Sequence, residues 1–325
     1  MREINTVAGS VTAGKIGLTL IHEHFLFGYP GWYGDLTMAP YDREAYIQKG
    51  IDMARDVIAC GVATVVDATP NEVGRDPLVL KEIAEKTGLN IICATGFYSE
   101  KEGAPIYYKV RRIYGEVLKE IYEMFHKEVS AGIGTTGIKA GVIKVASSRD
   151  SITRYEETFF RAAGRVSGEL GTPIITHTSE GKQGPEQAKL LIESGAPPKR
   201  TMIGHMCGNT DIDYIRRTLD YGVYIAFDRF GIQGVAGTPT DAQREECLMK
   251  LIDLGYAGNI MLSHDFVNLW LGRKGIGEAL VKSGKNMPPT HLFRDILPSL
   301  KKKGLTDDQI QTMMVDNPRR LLAGE

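Results

Sequence analysis

The sequence predicts an α/β fold, a (β/α)8 barrel, and three observations predict it. Eight short apolar runs rich in β-branched residues alternate with longer amphipathic stretches, the pattern of parallel strands joined by helices. Polar residues gather near the C-terminal ends of those runs, the end at which this architecture carries its chemistry. Eight such units fill the 325 residues with no linker, low-complexity run or internal repeat, so residues 1–325 are read as one barrel domain. An open, doubly wound sheet is the competitor; the strand count and the even spread of polar strand ends favour closure.

The elements follow in order. Residues 2–17 alternate around Gly9 and Gly14 and read as a short N-terminal hairpin before the barrel. The eight strands are LTLIHEH ending at His24, TVVDATP at Pro70, NIICATGFY at Tyr98, GVIKVAS at Ser147, PIITHTS at Ser179, TMIGHMC at Cys207, VYIAFDR at Arg229 and IMLSHDF at Phe266. Helices are expected over 42–60, 76–88, 106–130, 153–170, 184–194, 211–221 and 241–255, several closed by the glycine that favours a helix C-terminus. The stretch 267–289 is rich in Gly, Lys and Asn without clear period and reads as a long, functional loop. From 290 onward the chain reads as terminal helices.

Composition narrows the function. Hydrophobic residues make up 42% and charged residues 24%, enough for a sizeable core. A net charge of -1 gives no field to gather nucleic acid or an anionic membrane, so a small molecule is the expected partner. Cys60, Cys93, Cys207 and Cys247 lie far apart with no C-x-x-C pair and read as free thiols. With no apolar leader or membrane-length run, a cytoplasmic location is expected.

His22 and His24 flank Glu23 on the first strand, and the period of two sends both imidazoles to one face with Glu23 opposite. A lone strand histidine is ordinarily a satisfied core residue, but burying two together without a metal or acid is costly. Lys144, His177, His205 and Asp265 fall near the ends of strands four, five, six and eight. Imidazole and carboxylate are the ligands expected of Zn²⁺, Mn²⁺, Fe²⁺ or Co²⁺. An ammonium inside an apolar strand beside cations must be neutral, paired or chemically converted. CO2 would convert Lys144 to an anionic carbamate; an ion pair with Asp67 or Asp265 is the alternative.

Together TVAGSVTAGKIGLTLIHEH, AGVIKVASS, ITHTSEG, IGHMCGNTDIDYI, AFDRFG, LSHDF and NPRRLL resemble the phosphotriesterase family of the amidohydrolase superfamily, in the family's order and over nearly the whole chain. The resemblance implies two divalent metal ions, zinc first and Mn, Co or Fe as alternatives. His22, His24 and Asp265 would bind the more buried one, and His177 and His205 the other. Carbamylated Lys144 and a hydroxide would bridge them. Asp265, Tyr98 and Arg229 would be catalytic: the hydroxide attacks, Asp265 takes its proton, Tyr98 holds the leaving oxygen and Arg229 orders the loops above. Tyr98 and Arg229 resemble pocket positions of the phosphotriesterase-like lactonases, which implies hydrolysis of lactones, aliphatic or acyl-homoserine, with side activity on organophosphate triesters, and related barrels imply a homodimer. The loop after Asp265, FVNLWLGRKGIGEALVKSGKNMPPTHLF, departs from the lactonase pattern.

The bland readings of Tyr98 and Arg229 are a rim tyrosine and a salt bridge to Asp228 or a nearby acid. Cys207 is read as a small buried filler, His264 as packing or support, and His126 and His291 as surface residues. GIGTTG at 132–137 follows a helix rather than a strand and is a loop, not a dinucleotide fingerprint. SEGK at 179–182 lacks the partner motifs of the penicillin-recognising enzymes. The competing functions are hydrolysis of an open-chain ester, amide or phosphoester in the same site, and a non-catalytic binding barrel.

Overall fold

The computed structural model describes residues 3–37, 42–234, 238–273, 275, 277, 279 and 287–324. Strands β1 (Glu3–Thr6) and β2 (Gly9–Thr12) form the expected antiparallel hairpin, with Thr6 opposite Gly9. Then β3 (Thr19–Phe27), β4 (Thr64–Asp67), β5 (Asn90–Phe97), β6 (Val142–Ser147), β7 (Ile174–Thr178), β8 (Thr201–Ile203), β9 (Tyr224–Phe227) and β10 (Ile260–Leu262) pair in parallel, each with the next.

Closure comes from where a loop was expected. Val267–Trp270 is a strand, β11, and runs parallel to β3 with Val267 opposite His24 and Trp270 opposite Phe27. Between β10 and β11 the ladder continues: Asp265 N–H donates to His22 O at 3.0 Å and His24 N–H to Phe266 O at 2.9 Å. The eighth strand is therefore broken at its middle, one half on β9 and the other on β3, which leaves no open edge. The buried backbone of β3 needs these partners, and that need makes strand of a stretch whose composition reads as loop. Of the rest of 267–289, residues 274, 276, 278 and 280–286 lie outside the described residues.

The helices are α1 (Arg43–Ala59), α2 (Pro77–Thr87), α3 (Ile106–Arg111), α4 (Val117–Ser130), α5 (Arg154–Leu170), α6 (Gly184–Glu193), α7 (Ile212–Leu219) and α8 (Asp241–Asp253), followed by α9 (Leu297–Lys302), α10 (Asp307–Gln311) and α11 (Asn317–Ala323). The helix expected over 106–130 is broken. Its turn ends on Tyr114 and Gly115, whose N–H groups close on Arg111 O, and Arg111 pairs with Glu120 across the gap. Side-chain caps start several helices, with reciprocal capping boxes at Thr153/Glu156 and Thr240/Gln243.

Two apolar layers hold the barrel. Leu20, Val65, Ile91 and Ile143 face outward against helix residues such as Phe159, Leu191 and Leu248. Ile21, Val66, Ile92, Val142, Ile175, Met202, Tyr224 and Met261 fill the interior, and Ile4, Ile16, Leu321 and Leu322 plug it from hairpin and C-terminus. Each fully buried aliphatic side chain contributes roughly 1.5–3 kcal/mol. This plug leaves the polar side chains one layer further up, toward the strands' C-terminal ends. On β3 the register against β4 shifts between Leu20 and Glu23. The irregularity lets Ile21 and His22 both face inward, as a bulge can beside an active site, and hands the alternation over from the core to the site.

Candidate metal centre

Six side chains converge at the C-terminal ends of the strands. Lys144 Nζ lies 2.6 Å from His22 Nε2, and the ring of His22 stacks on that of His205 with centroids 4.6 Å apart. His177 stands edge-on to His205, also at 4.6 Å, and His24 edge-on to His22 at 5.5 Å. Asp265 approaches three of the four rings: Oδ1 is 3.1 Å from His24 Nε2 and 3.6 Å from His22 Nε2, and Oδ2 is 3.6 Å from His205 Nε2. Glu23 points the other way, where it accepts from Ser263 Oγ, the His264 ring and backbone, and Phe266 N–H. His264 thus supports the closure, as expected.

His205 and Asp265 lie just past their strands in left-handed backbone, at φ 57° and 56°. Such conformations cost roughly 1–3 kcal/mol each and persist where surroundings fix them. Here His205 N–H donates to Asp228 Oδ1 at 2.8 Å, and Asp265 N–H to His22 O.

Asp228 is the residue that sequence reasoning named only as a salt-bridge partner for Arg229. Fully buried, it accepts from His22 Nδ1 at 2.8 Å and from His205 Nδ1 at 3.0 Å. Both imidazoles therefore carry their proton on Nδ1 and turn the Nε2 lone pair inward. The signal was available, because Tyr224, Ala226 and Asp228 share the inward period of β9. Arg229 instead donates from Nε to Asp265 Oδ2 at 2.9 Å.

Thr69, also missed, does the same for His24. Its hydroxyl donates to Leu26 O at 3.1 Å and so accepts from His24 Nδ1 at 2.7 Å. Thr69→Val keeps the shape without the acceptor, and metal affinity should fall about 10–100-fold in a competitive chelator titration, while Thr69→Ser retains it. Unchanged affinity in the valine variant would mean that His24 takes its tautomer from elsewhere.

Electrostatics favour the ligand forms. Burial, then Lys144, pushes His22 down to about 3, and burial, then His205, holds His177 well below the usual imidazole range. Burial raises Asp265, but His205 and Arg229 outweigh it and keep the carboxylate well below its ordinary value. Burial lowers Lys144 to about 8. The ion pair of Lys144 with Asp67 or Asp265 is not formed among the described residues; Asp67 is taken by the N–H groups of Phe25 and Thr69.

One atom tests the fit to a cation. His205 Nε2 is buried with no hydrogen-bond partner, a state that costs about 1–3 kcal/mol unless a ligand takes the lone pair. His22, His24 and Asp265 offer donor atoms close enough to share one ion. A second such cluster, His22, His205 and Asp228, is held at hydrogen-bond distances through Nδ1, and we read Asp228 there as orienting the rings. His177 belongs to neither cluster; Tyr98 Oη and Ser179 Oγ each lie 3.4 Å from its ring nitrogens, which leaves the ring uncommitted.

The remaining histidines and cysteines divide. His126 is partly exposed on α4 near Glu169. His291, expected at the surface, is only 8% exposed and lies between Asp241 and Asp295; the two carboxylates stabilise a buried imidazole that its place next to proline did not announce. Cys207 packs in the outer apolar layer, a filler as expected, and all four cysteines are free thiols. No described helix is long and apolar enough to cross a membrane.

A model of the phosphotriesterase family matches residues 2–322. The organophosphorus hydrolase from Deinococcus radiodurans is 55% identical, covers 98% of this chain and 96% of its own, and superposes with a TM-score of 0.96. A mutant of the PTE-like lactonase of the same organism is 53% identical over 98% of this chain and 99% of its own, with a TM-score of 0.95. The aryldialkylphosphatase of Saccharolobus solfataricus is 31% identical over 315 residues, 97% of each chain.

Proposed function

Because this chain belongs to the phosphotriesterase family, a family of binuclear metal-dependent hydrolases, we propose that it opens lactones, aliphatic or acyl-homoserine, with organophosphate triesters as secondary substrates. The observation that carries the reading is the orphaned Nε2 of His205, set among inward-turned imidazoles and the Asp265 carboxylate. The names of the Deinococcus structures support the pairing of lactone with organophosphate.

In this proposal His22, His24 and Asp265 would hold one cation and His177 and His205 the other. Lys144, as its carbamate, would supply the further anionic ligand. Zinc is the first candidate, with Mn, Co or Fe behind it. When bound, the pair supplies an activated water and a Lewis acid for the acyl or phosphoryl oxygen.

The chain's own groups do the rest. Asp265, an anion held by Arg229 at Oδ2, accepts the proton of the attacking water and returns it to the leaving alkoxide. In a lactone that alkoxide stays tethered to the acyl group. Tyr98, raised well above the ordinary phenol range by burial, then Glu102, stays protonated and donates toward the leaving oxygen. Arg229 keeps Asp265 ionised and in place. A homodimer and a cytoplasmic location belong to the same proposal, by analogy with related barrels and from the free thiols.

A δ-lactone, an acyl-homoserine lactone, an aryl ester and a paraoxon-like triester, assayed in parallel, test it. The expected result is a kcat/KM for the better lactone on the order of 10-fold or more above the triester and the open-chain ester. Turnover of the open-chain ester alone would defeat the lactone assignment. Inertness toward all four in protein carrying its metals would favour the non-catalytic barrel.

A further inference from the structure

Asp241 is the first residue of α8 and is 6% exposed. Its two oxygens each accept from Gly231 N–H at 3.1 Å; Oδ1 also accepts from Arg244 Nη1 at 2.8 Å and Oδ2 from His291 Nε2 at 3.0 Å. Arg244 is fully buried, and its Nε and Nη2 meet no hydrogen-bond partner, so its charge leans on Asp241. Burial alone would raise this carboxyl, but His291, Gly231 and Arg244 together hold it below its usual range.

What this anion grips is the turn that carries Arg229. Ile232 N–H closes on Arg229 O at 3.1 Å, and Gly231, between them, is the residue Asp241 holds. Gly231 O in turn accepts from Met287 N–H at 3.2 Å. At φ +94° Gly231 takes a left-handed conformation, and a Cβ there would sit 2.8 Å from Met287 Cβ and 3.3 Å from His291 Cδ2. The segment after β9 and the segment that returns to α9 thus touch at a glycine and are pinned through one carboxylate. A buried charge with three donors is costly to assemble for packing alone, since well-packed apolar side chains often serve as well.

We propose that Asp241 is the positioning residue for Arg229, and that with His291 it locks the segment bearing Arg229 to the one following β11. The proposal rests on the role given to Arg229 above. The guanidinium must meet Asp265 Oδ2 at hydrogen-bond distance, and a shift of about 1 Å in a catalytic arrangement can cost on the order of 10²-fold. Asp241 fixes the backbone two residues away, so it acts on Asp265 through Arg229 and touches no substrate.

A double-mutant cycle on the metal-loaded, full-length protein tests this, with a δ-lactone as probe and metal content measured for every variant. Asp241→Asn should lower kcat by about 10–100-fold with KM changed far less, and Arg229→Ala should fall as far or further. In the double variant the losses should not multiply; kcat/KM should lie within about 3-fold of Arg229→Ala alone. Should Asp241→Asn fail to fold, His291→Ala must show the same non-additivity, while His291→Gln, which keeps a donor toward Asp241, retains activity. Multiplying losses overturn this inference and leave the assignment of Arg229 intact. Full activity in Arg229→Ala overturns that assignment and this inference with it.

Discussion

Lys144→Ala should lose at least about 10³-fold in kcat/KM, the scale of several kcal/mol of charge stabilisation, and a short carboxylate such as propionate should restore part of the loss. The side chain is 1% exposed, and its Nζ lies on His22 Nε2. An ammonium ~4 Å from one divalent cation would be repelled by about 8 kcal/mol at an effective dielectric constant of ~20. A charged lysine and a loaded centre therefore exclude each other. A carbamate reverses the sign, and no carboxylate in the described structure takes over its place. Alanine leaves a cavity into which a free carboxylate fits, so rescue is the signature of a missing anion. Kinetics with and without propionate, beside metal analysis, check this. A variant that keeps its activity, or one that loses it but ignores every added carboxylate while still folded, would return Lys144 to a structural role.

The parts of this centre that the sequence disclosed are the ones that strand geometry dictates. His22, His24, Lys144 and His177 sit inside strands, where a period of two fixes the face, and the eight strands were legible for the same reason. His205 and Asp265 were found by residue type, but their left-handed backbone was not, because it is imposed by Asp228 and by the carbonyl of His22 from elsewhere in the chain. The irregularity in β3 and the strand at Val267–Trp270 depend on pairing partners, which local patterns do not record. Thr69 and His291 were passed over because a hydroxyl and an imidazole gain their roles only from what they touch. The break at Gly115 is a smaller miss of the same origin, since a continuous amphipathic period over 106–130 conceals where the chain must turn.

Asp228→Asn should cut kcat/KM by about 10²–10³-fold and weaken metal retention, although asparagine matches aspartate in shape. The reason is the count of donors and acceptors. Asp228 accepts from two imidazole Nδ1–H groups and one backbone N–H, and so holds His22 and His205 in the tautomer with Nε2 free. An amide offers one acceptor oxygen and one NH2. One histidine would face a donor, move its proton to Nε2, and lose the lone pair that a cation needs. Disturbing the partner of a single ligand costs about 10–100-fold, and here one carboxylate serves two. The loss of buried negative charge adds to it, because Asp228 is held well below the usual carboxylate range against its own burial by His205 and His22. The competing view makes Asp228 itself a ligand. Its contacts of 2.8 and 3.0 Å to the rings are hydrogen-bond distances, and in that view the proton on Nδ1 would have no place. Metal content after exhaustive dialysis and the visible spectrum of cobalt-loaded protein separate the two. Full occupancy with an unaltered spectrum and wild-type turnover would show that the two rings are oriented by something other than this carboxylate.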